Sequence, residues 1–133
     1  TAAIVNKNGM VASDAIINNG GGHPRAAGTF PRVLGKYVRE EKALPLIDAL
    51  RKITLEPAKR LELDSKGRIE EGCDADITIF DPETIIDKAD FTQLSRPEGI
   101  EWVIINGKPA IANGQTVSEQ EGKFISFLEQ EFN

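Results

Sequence analysis

Met10–Leu34, MVASDAIINNGGGHPRAAGTFPRVL, decides how the fold is read. Its opening apolar run, Met10-Val11-Ala12, has the character of a buried strand and ends on Ser13-Asp14. A carboxylate therefore stands where side chains begin to leave the sheet. The turn-forming run Asn18-Asn19-Gly20-Gly21-Gly22 follows, then His23-Pro24-Arg25. Thr29 next supplies an N-cap and Pro31 a first-turn proline for a helix over Phe30 to Lys42. Strand, polar tip, glycine-rich loop and helix make one βα unit of a parallel α/β fold, whose chemistry collects at the carboxyl ends of strands.

Outward from that unit, Val33, Leu34, Tyr37 and Val38 form a helical apolar stripe. Pro45 opens a second helix carrying Leu46, Ile47, Leu50 and Ile53. A third runs from Pro57 to Leu63, with Ala58, Leu61 and Leu63 turned inward. At Asp64-Ser65-Lys66-Gly67 the pattern changes to β. Arg68–Gly72 reads as a short strand and turn, and Ile77-Thr78-Ile79-Phe80 has the two-residue period of a strand. Trp102–Ile111 is a hairpin turning at Asn106-Gly107, and Asn113-Gly114 offers a second turn. Ser118-Glu119-Gln120-Glu121 is a capping box, and Phe124, Phe127 and Leu128 share one face of the terminal helix it predicts. The division is 1–63, 64–117 and 118–133.

Composition narrows the function classes. A chain of 133 residues buries a core but is too short for a complete (β/α)₈ barrel of roughly 250 residues. A net charge of −5 argues against nucleic acid as a partner, and no apolar run is long enough to span a membrane as a helix. One cysteine, Cys73, excludes an internal disulfide and fits a reducing, cytoplasmic setting. Thr1 rather than Met opens the chain, so an upstream segment is expected. The glycine run lacks a following Lys-Ser/Thr and has no G-x-G-x-x-G spacing, which argues against nucleotide binding. It is read either as a mobile lid or as a passive loop. Cys73 beside Gly72 reads as a small buried residue.

The Ser-Asp-Ala strand end followed by HPRAAGTFPRVLGKYVREE resembles the last barrel strand and loop of the metal-dependent amidohydrolases. The branch it is most similar to is the N-acyl-D-amino-acid deacylases. GRIEEGCDADITIFDP and VIINGKPAI resemble the small β-sandwich that follows the barrel. The fold class implied is α/β plus β: the carboxyl-terminal portion of a (β/α)₈ barrel, a small β-sandwich-type domain and a terminal helix. The activity implied is metal-assisted hydrolysis of an N-acyl amino acid, with a dihydroorotase-like cyclic amide as the alternative substrate. A noncatalytic β-rich assembly module is the rival from another class.

The resemblance makes Asp14 the catalytic acid/base beside the metal and a candidate metal ligand. By pattern alone Asp14 is equally a loop cap or a solvated carboxylate. His23 and Arg25 are candidate substrate-binding residues, Arg25 through a bidentate pair with a substrate carboxylate. The alternative for both is a structural ion pair or loop hydrogen bond. Zinc is the implied metal, but one histidine and one cysteine are too few for a self-contained zinc centre. The isolated chain is therefore expected to be inactive, with the missing ligands in an absent amino-terminal part or a second copy.

Overall fold

The computed structural model describes residues 2–18 and 21–125. Its elements in order are α1 (Ala2–Val5), β1 (Ile17–Asn18), β2 (Gly21–Gly22), α2 (Arg25–Arg32), a π-helical continuation (Val33–Glu40), α3 (Leu46–Ile53), α4 (Leu55–Arg60), β3 (Ile77–Phe80), β4 (Ile100–Ile105), β5 (Lys108–Ala112) and β6 (Gln115–Thr116). The last four form one antiparallel sheet in the order β3-β4-β5-β6.

The helix expected over Phe30–Lys42 begins earlier, at Arg25, with Pro24 at its N-cap. Thr29 lies inside it: its hydroxyl donates to the Arg25 carbonyl at 2.8 Å instead of capping an N-terminus. Pro31 has no N–H to return to the preceding turn, and beyond it the helix opens to π geometry. At its end the Glu41 N–H donates to the Lys36 carbonyl at 2.8 Å.

Met10–Ala12 is not a strand. The Val11 N–H donates to the Lys52 carbonyl at 3.1 Å, and no ladder partner flanks this run among the described residues. Without neighbours, strand propensity has nothing to pair with. Arg68–Gly72 likewise forms no strand, and Ile69 is left exposed. The terminal helix does not form over residues 118–125, where Ser118 Oγ instead donates to the Glu121 carboxylate at 2.9 Å. Phe127, Leu128 and the remainder of that expectation lie outside the described residues.

Both Asn-Gly turns form as read. Asn106 and Gly107 have φ of 51° and 77°, and Asn113 and Gly114 have 51° and 71°, the type I′ pattern that matches strand twist. Register follows: Ile105 pairs with Lys108 and Ala112 with Gln115.

Val33, Leu34, Leu44, Ala49 and Ile85 form the buried cluster, with Leu50, Ile53, Phe80 and Ile100 packed on it. Helices and sheet thus meet in one core. Leu61, expected inward, is exposed, as is Ile47. The segment that brings Ile85 into the core crosses the helix at Gly35, where a Cβ would strike the Ile85 carbonyl and come within 2.7 Å of Ile86 Cδ1. At Gly99, φ +79°, a Cβ would lie 2.5 Å from Ile85 N. Arg39 Nη1 donates to the Ile85 carbonyl, closing this crossing from the helix side. No helix among the described residues is long and apolar enough to cross a membrane.

A polar network ties the 64–76 loop to the sheet. Lys66 Nζ pairs with Asp74 at 2.9 Å and with Asp76 at 2.5 Å, while Asp76 Oδ1 accepts the Asn106 N–H at 2.8 Å. The Lys66 hydrogen bond and then the Asn106 N–H hold the Asp76 carboxyl below its usual range. Asp74 is lowered by Lys66 and Ser65, and the Lys66 ammonium is raised by its bond to Asp76.

Two predictions follow from these contacts. Gly99→Ala should lose about 3 kcal/mol of unfolding free energy in urea titration, from left-handed strain plus overlap with Ile85. Gly72→Ala, also at positive φ (+87°) but with nothing within 4 Å, should lose only about 1 kcal/mol. For the network, carboxyls lowered in the folded state stabilise it above their unfolded pKa, and that contribution disappears as pH falls through the folded values. The stability advantage of wild type over Lys66→Met should therefore hold through neutral pH and shrink below about pH 4 in thermal melts.

Candidate active site around Asp14

Asp14 ends the segment running from Met10, in a left-handed conformation with φ 47°. A non-glycine residue there is uncommon, though Asp tolerates it better than most. Its carboxylate is 81% exposed, and Oδ2 lies 3.0 Å from Arg25 Nη2. Arg25 opens α2, so the helix start positions the guanidinium. Arg25 Nε is buried with no hydrogen-bond partner.

His23 completes the group. Its Nδ1 accepts the Arg25 backbone N–H at 3.2 Å, and its carbonyl accepts the Ala26 N–H at 2.9 Å. The imidazole caps the helix that carries Arg25. Accepting at Nδ1 assigns the proton of the neutral ring to Nε2, which is left to donate elsewhere. The three residues picked from the sequence thus come together, with Arg25 as the link. The glycine run forms a two-residue ladder here, Ile17 opposite Gly22 and Asn18 opposite Gly21.

Two residues at this end escaped the sequence reading. Phe91 meets the His23 ring edge-on, centroids 4.9 Å apart at 77°. No local pattern marks it, since 68 positions separate the two rings in sequence. Lys52 is 7% exposed, and its ammonium donates to the Asn6 carbonyl and to the Gly9 carbonyl at 2.9 Å. It fixes the turn that leads to Met10 and so the approach to Asp14. Its spacing of three from the fully buried Ala49, on the inner face of α3, was the available signal.

Among the described residues, no three His, Cys, Asp or Glu side chains come together as a metal site. The Asp14 group offers one carboxylate and one imidazole whose Nδ1 is already engaged. Among the described residues this is short of the three or four protein ligands that a zinc site uses. A concavity of about 580 Å³ lies by the sheet, but Asp14, His23 and Arg25 do not line it, and its Asp74 and Asp76 are paired with Lys66.

A model of the Amidohydrolase family matches residues 4–110. The N-acyl-D-glutamate deacylase of Alcaligenes xylosoxydans xylosoxydans is 42% identical over 99 residues, covering 74% of this chain and 20% of that protein. A D-aminoacylase structure concerned with its binuclear metal centre superposes with a TM-score of 0.86 at 34% identity, over 91% of this chain and 26% of the other. The N-acyl-D-glutamate deacylase of Bordetella bronchiseptica, complexed with zinc and a phosphonate inhibitor, gives a TM-score of 0.73 at 36% identity, over 80% and 24%. The chain spans about a fifth to a quarter of the length of the curated relatives it matches.

The left-handed backbone at Asp14 gives a stability test of whether its carboxylate is there for folding. An exposed ion pair contributes roughly 0–1 kcal/mol, and glycine relieves the strain at position 14. Asp14→Gly should therefore unfold within about 1 kcal/mol of wild type in urea. Asp14→Val, β-branched at positive φ, should lose about 2 kcal/mol. A larger loss for the glycine variant would make Asp14 a structural residue.

Proposed function

Because the chain belongs to the amidohydrolase family, we propose that it is the segment of a metal-dependent N-acyl-D-amino-acid deacylase that contributes the catalytic aspartate, Asp14. In this reading residues 1–63 are the end of the barrel with its helices, and 64–117 are the small β domain. The observation that carries it is a solvent-facing carboxylate in a strained backbone, aligned by Arg25 at the head of the His23 loop. A left-handed backbone kept at an exposed acid supports that reading.

Amide hydrolysis needs a proton taken from the attacking water and a proton given to the departing nitrogen. Asp14 performs both transfers: Oδ accepts the water proton as the C–O bond forms, then returns it to nitrogen as the C–N bond breaks. Arg25 takes the carboxylate of the acyl amino acid, and His23 orients Arg25 by capping its helix. A phosphonate that mimics a tetrahedral intermediate binds the Bordetella bronchiseptica relative together with zinc, which supports the same chemistry and the same metal here. The ligands for that zinc come from outside this chain, Asp14 being its one candidate contribution. Exposed Ile16, Ile17, Ile69 and Phe124 fit a segment whose surface is covered by the remainder of the enzyme or by a second copy. The two N-acyl-D-glutamate deacylases named above act on an N-acyl-D-amino acid, which favours that substrate class over a cyclic amide.

The test is Asp14→Asn in the zinc-loaded enzyme containing this segment. The amide keeps the size and tolerates the backbone but cannot carry the proton. We expect kcat on N-acetyl-D-amino acids, normalised to the zinc each protein holds, to fall by about 10³. A kcat within a few-fold of wild type would remove Asp14 from the chemistry.

A further inference from the structure

Among the described residues Lys52 is the one buried charged side chain, and its hydrogen bonds converge on a single stretch of chain. The ammonium donates to the Asn6 carbonyl and, at 2.9 Å, to the Gly9 carbonyl. The Lys52 carbonyl accepts the Val11 N–H at 3.1 Å. One residue of α3 thus holds positions 6, 9 and 11, from the end of α1 into the segment that stops at Asp14. Val11 packs against the buried cluster around Val33 and Ile85. Every one of these partners lies in this chain, so the anchoring does not depend on what covers its surface. Taking an ammonium out of water for two carbonyls is costly, and an apolar side chain of similar size fills the same space without that penalty. What the cation adds is a fixed path for residues 6–11. Three residues further on, the left-handed backbone of Asp14, φ 47°, is of the kind that persists only where its surroundings hold it.

We propose that Lys52 is a positioning residue for Asp14, setting where the carboxylate stands relative to the scissile amide. The inference rests on the deacylase reading of the Asp14 site. Arg25 is held by a different route. Its helix starts at Pro24 and is docked through Asp87, by the pair with Arg32 and by close approach to Gly28. A change at Lys52 therefore displaces the acid/base and leaves the substrate carboxylate on Arg25. Proton transfer feels that displacement, because the Asp14 oxygen has to lie within hydrogen-bond reach of the attacking water.

The test is a double-mutant cycle on kcat, normalised to zinc, in the enzyme containing this segment. Lys52→Met is expected to lower kcat on N-acetyl-D-amino acids about tenfold, with KM within about twofold of wild type. In the Asp14→Asn background the same change should remove nothing further, since the group it positions no longer carries the proton. Lys52→Gln, a neutral donor on a shorter stem, should lose about threefold in the same pattern and carries the cycle where Lys52→Met does not fold. An equal loss in both backgrounds, a loss carried by KM, or unchanged kinetics overturns the inference and leaves Lys52 a structural residue. A second readout needs no turnover. With carboxyl-labelled aspartate, assigned by its loss in Asp14→Asn, the Asp14 resonance should move in the Lys52 variants. An unmoved resonance also overturns it. A moved resonance in a zinc-loaded protein whose wild type hydrolyses no N-acetyl-D-amino acid would sink the deacylase reading and leave Lys52 as the anchor of Asp14.

Discussion

The crossing of the 84–87 segment over the helix is the contact on which the rest of this structure depends. Ile85 is the largest fully buried side chain, and its backbone runs so close to Gly35 and Gly99 that neither position has room for a Cβ. The approach is close because no side chain separates the two backbones, and it is held by Arg39 reaching the Ile85 carbonyl. One side of the cluster is helical, from Val33, Leu34 and Ala49, and the other comes from Ile85, Phe80 and Ile100. The sheet alone buries little: Ala110 is the buried residue of its strands, while Ile79 stays exposed. Packing on the helices is what gives it a core.

That same crossing sets the geometry of the candidate site. The chain that leaves Ile85 passes Gly28, pairs Asp87 with Arg32 and arrives at Phe91 on His23. From the opposite side, buried Lys52 holds the turn before Met10, so the segment ending at Asp14 is anchored to α3. Asp14, Arg25 and His23 thus lie between two anchored approaches, one from the helical part and one from the sheet part. Precision at a site built on loops needs such anchoring, because loops have few ladder hydrogen bonds of their own.

What the sequence made legible follows from how local each signal is. Asn106-Gly107 and Asn113-Gly114 need positive φ whatever surrounds them, and both turned as read. The helical stripe at Val33 and Leu34 and the Ile77–Phe80 strand were likewise visible in short windows. Thr29 misled because threonine suits both an N-cap and an interior hydroxyl that bonds back one turn, and here the second won. Met10–Ala12 and Arg68–Gly72 have strand composition but no ladder partners among the described residues. Asp14, His23 and Arg25 were candidates from the sequence; their joining through Arg25 was not legible there, since a ring nitrogen accepting from a helix N–H leaves no spacing signature. Phe91 and Lys52 depend on long-range packing and had only faint signals or none.

The strength of the Asp14–Arg25 pair bears on how such a site turns over. With Asp14 81% exposed and Arg25 39% exposed, water screens both partners, and pairs of this kind contribute roughly 0–1 kcal/mol. In the proposed reading a substrate carboxylate displaces Asp14 from Arg25, so one carboxylate replaces another and the net cost of exchange is small. The exchange also changes what Asp14 can do. Freed from the guanidinium N–H, its oxygen is open to accept the water proton. Arg25 meanwhile keeps its place, because the His23 cap fixes the start of its helix rather than its charge partner. A deeply buried pair would have to be broken against several kcal/mol, so the proposed exchange of carboxylates on Arg25 requires an exposed pair such as this one.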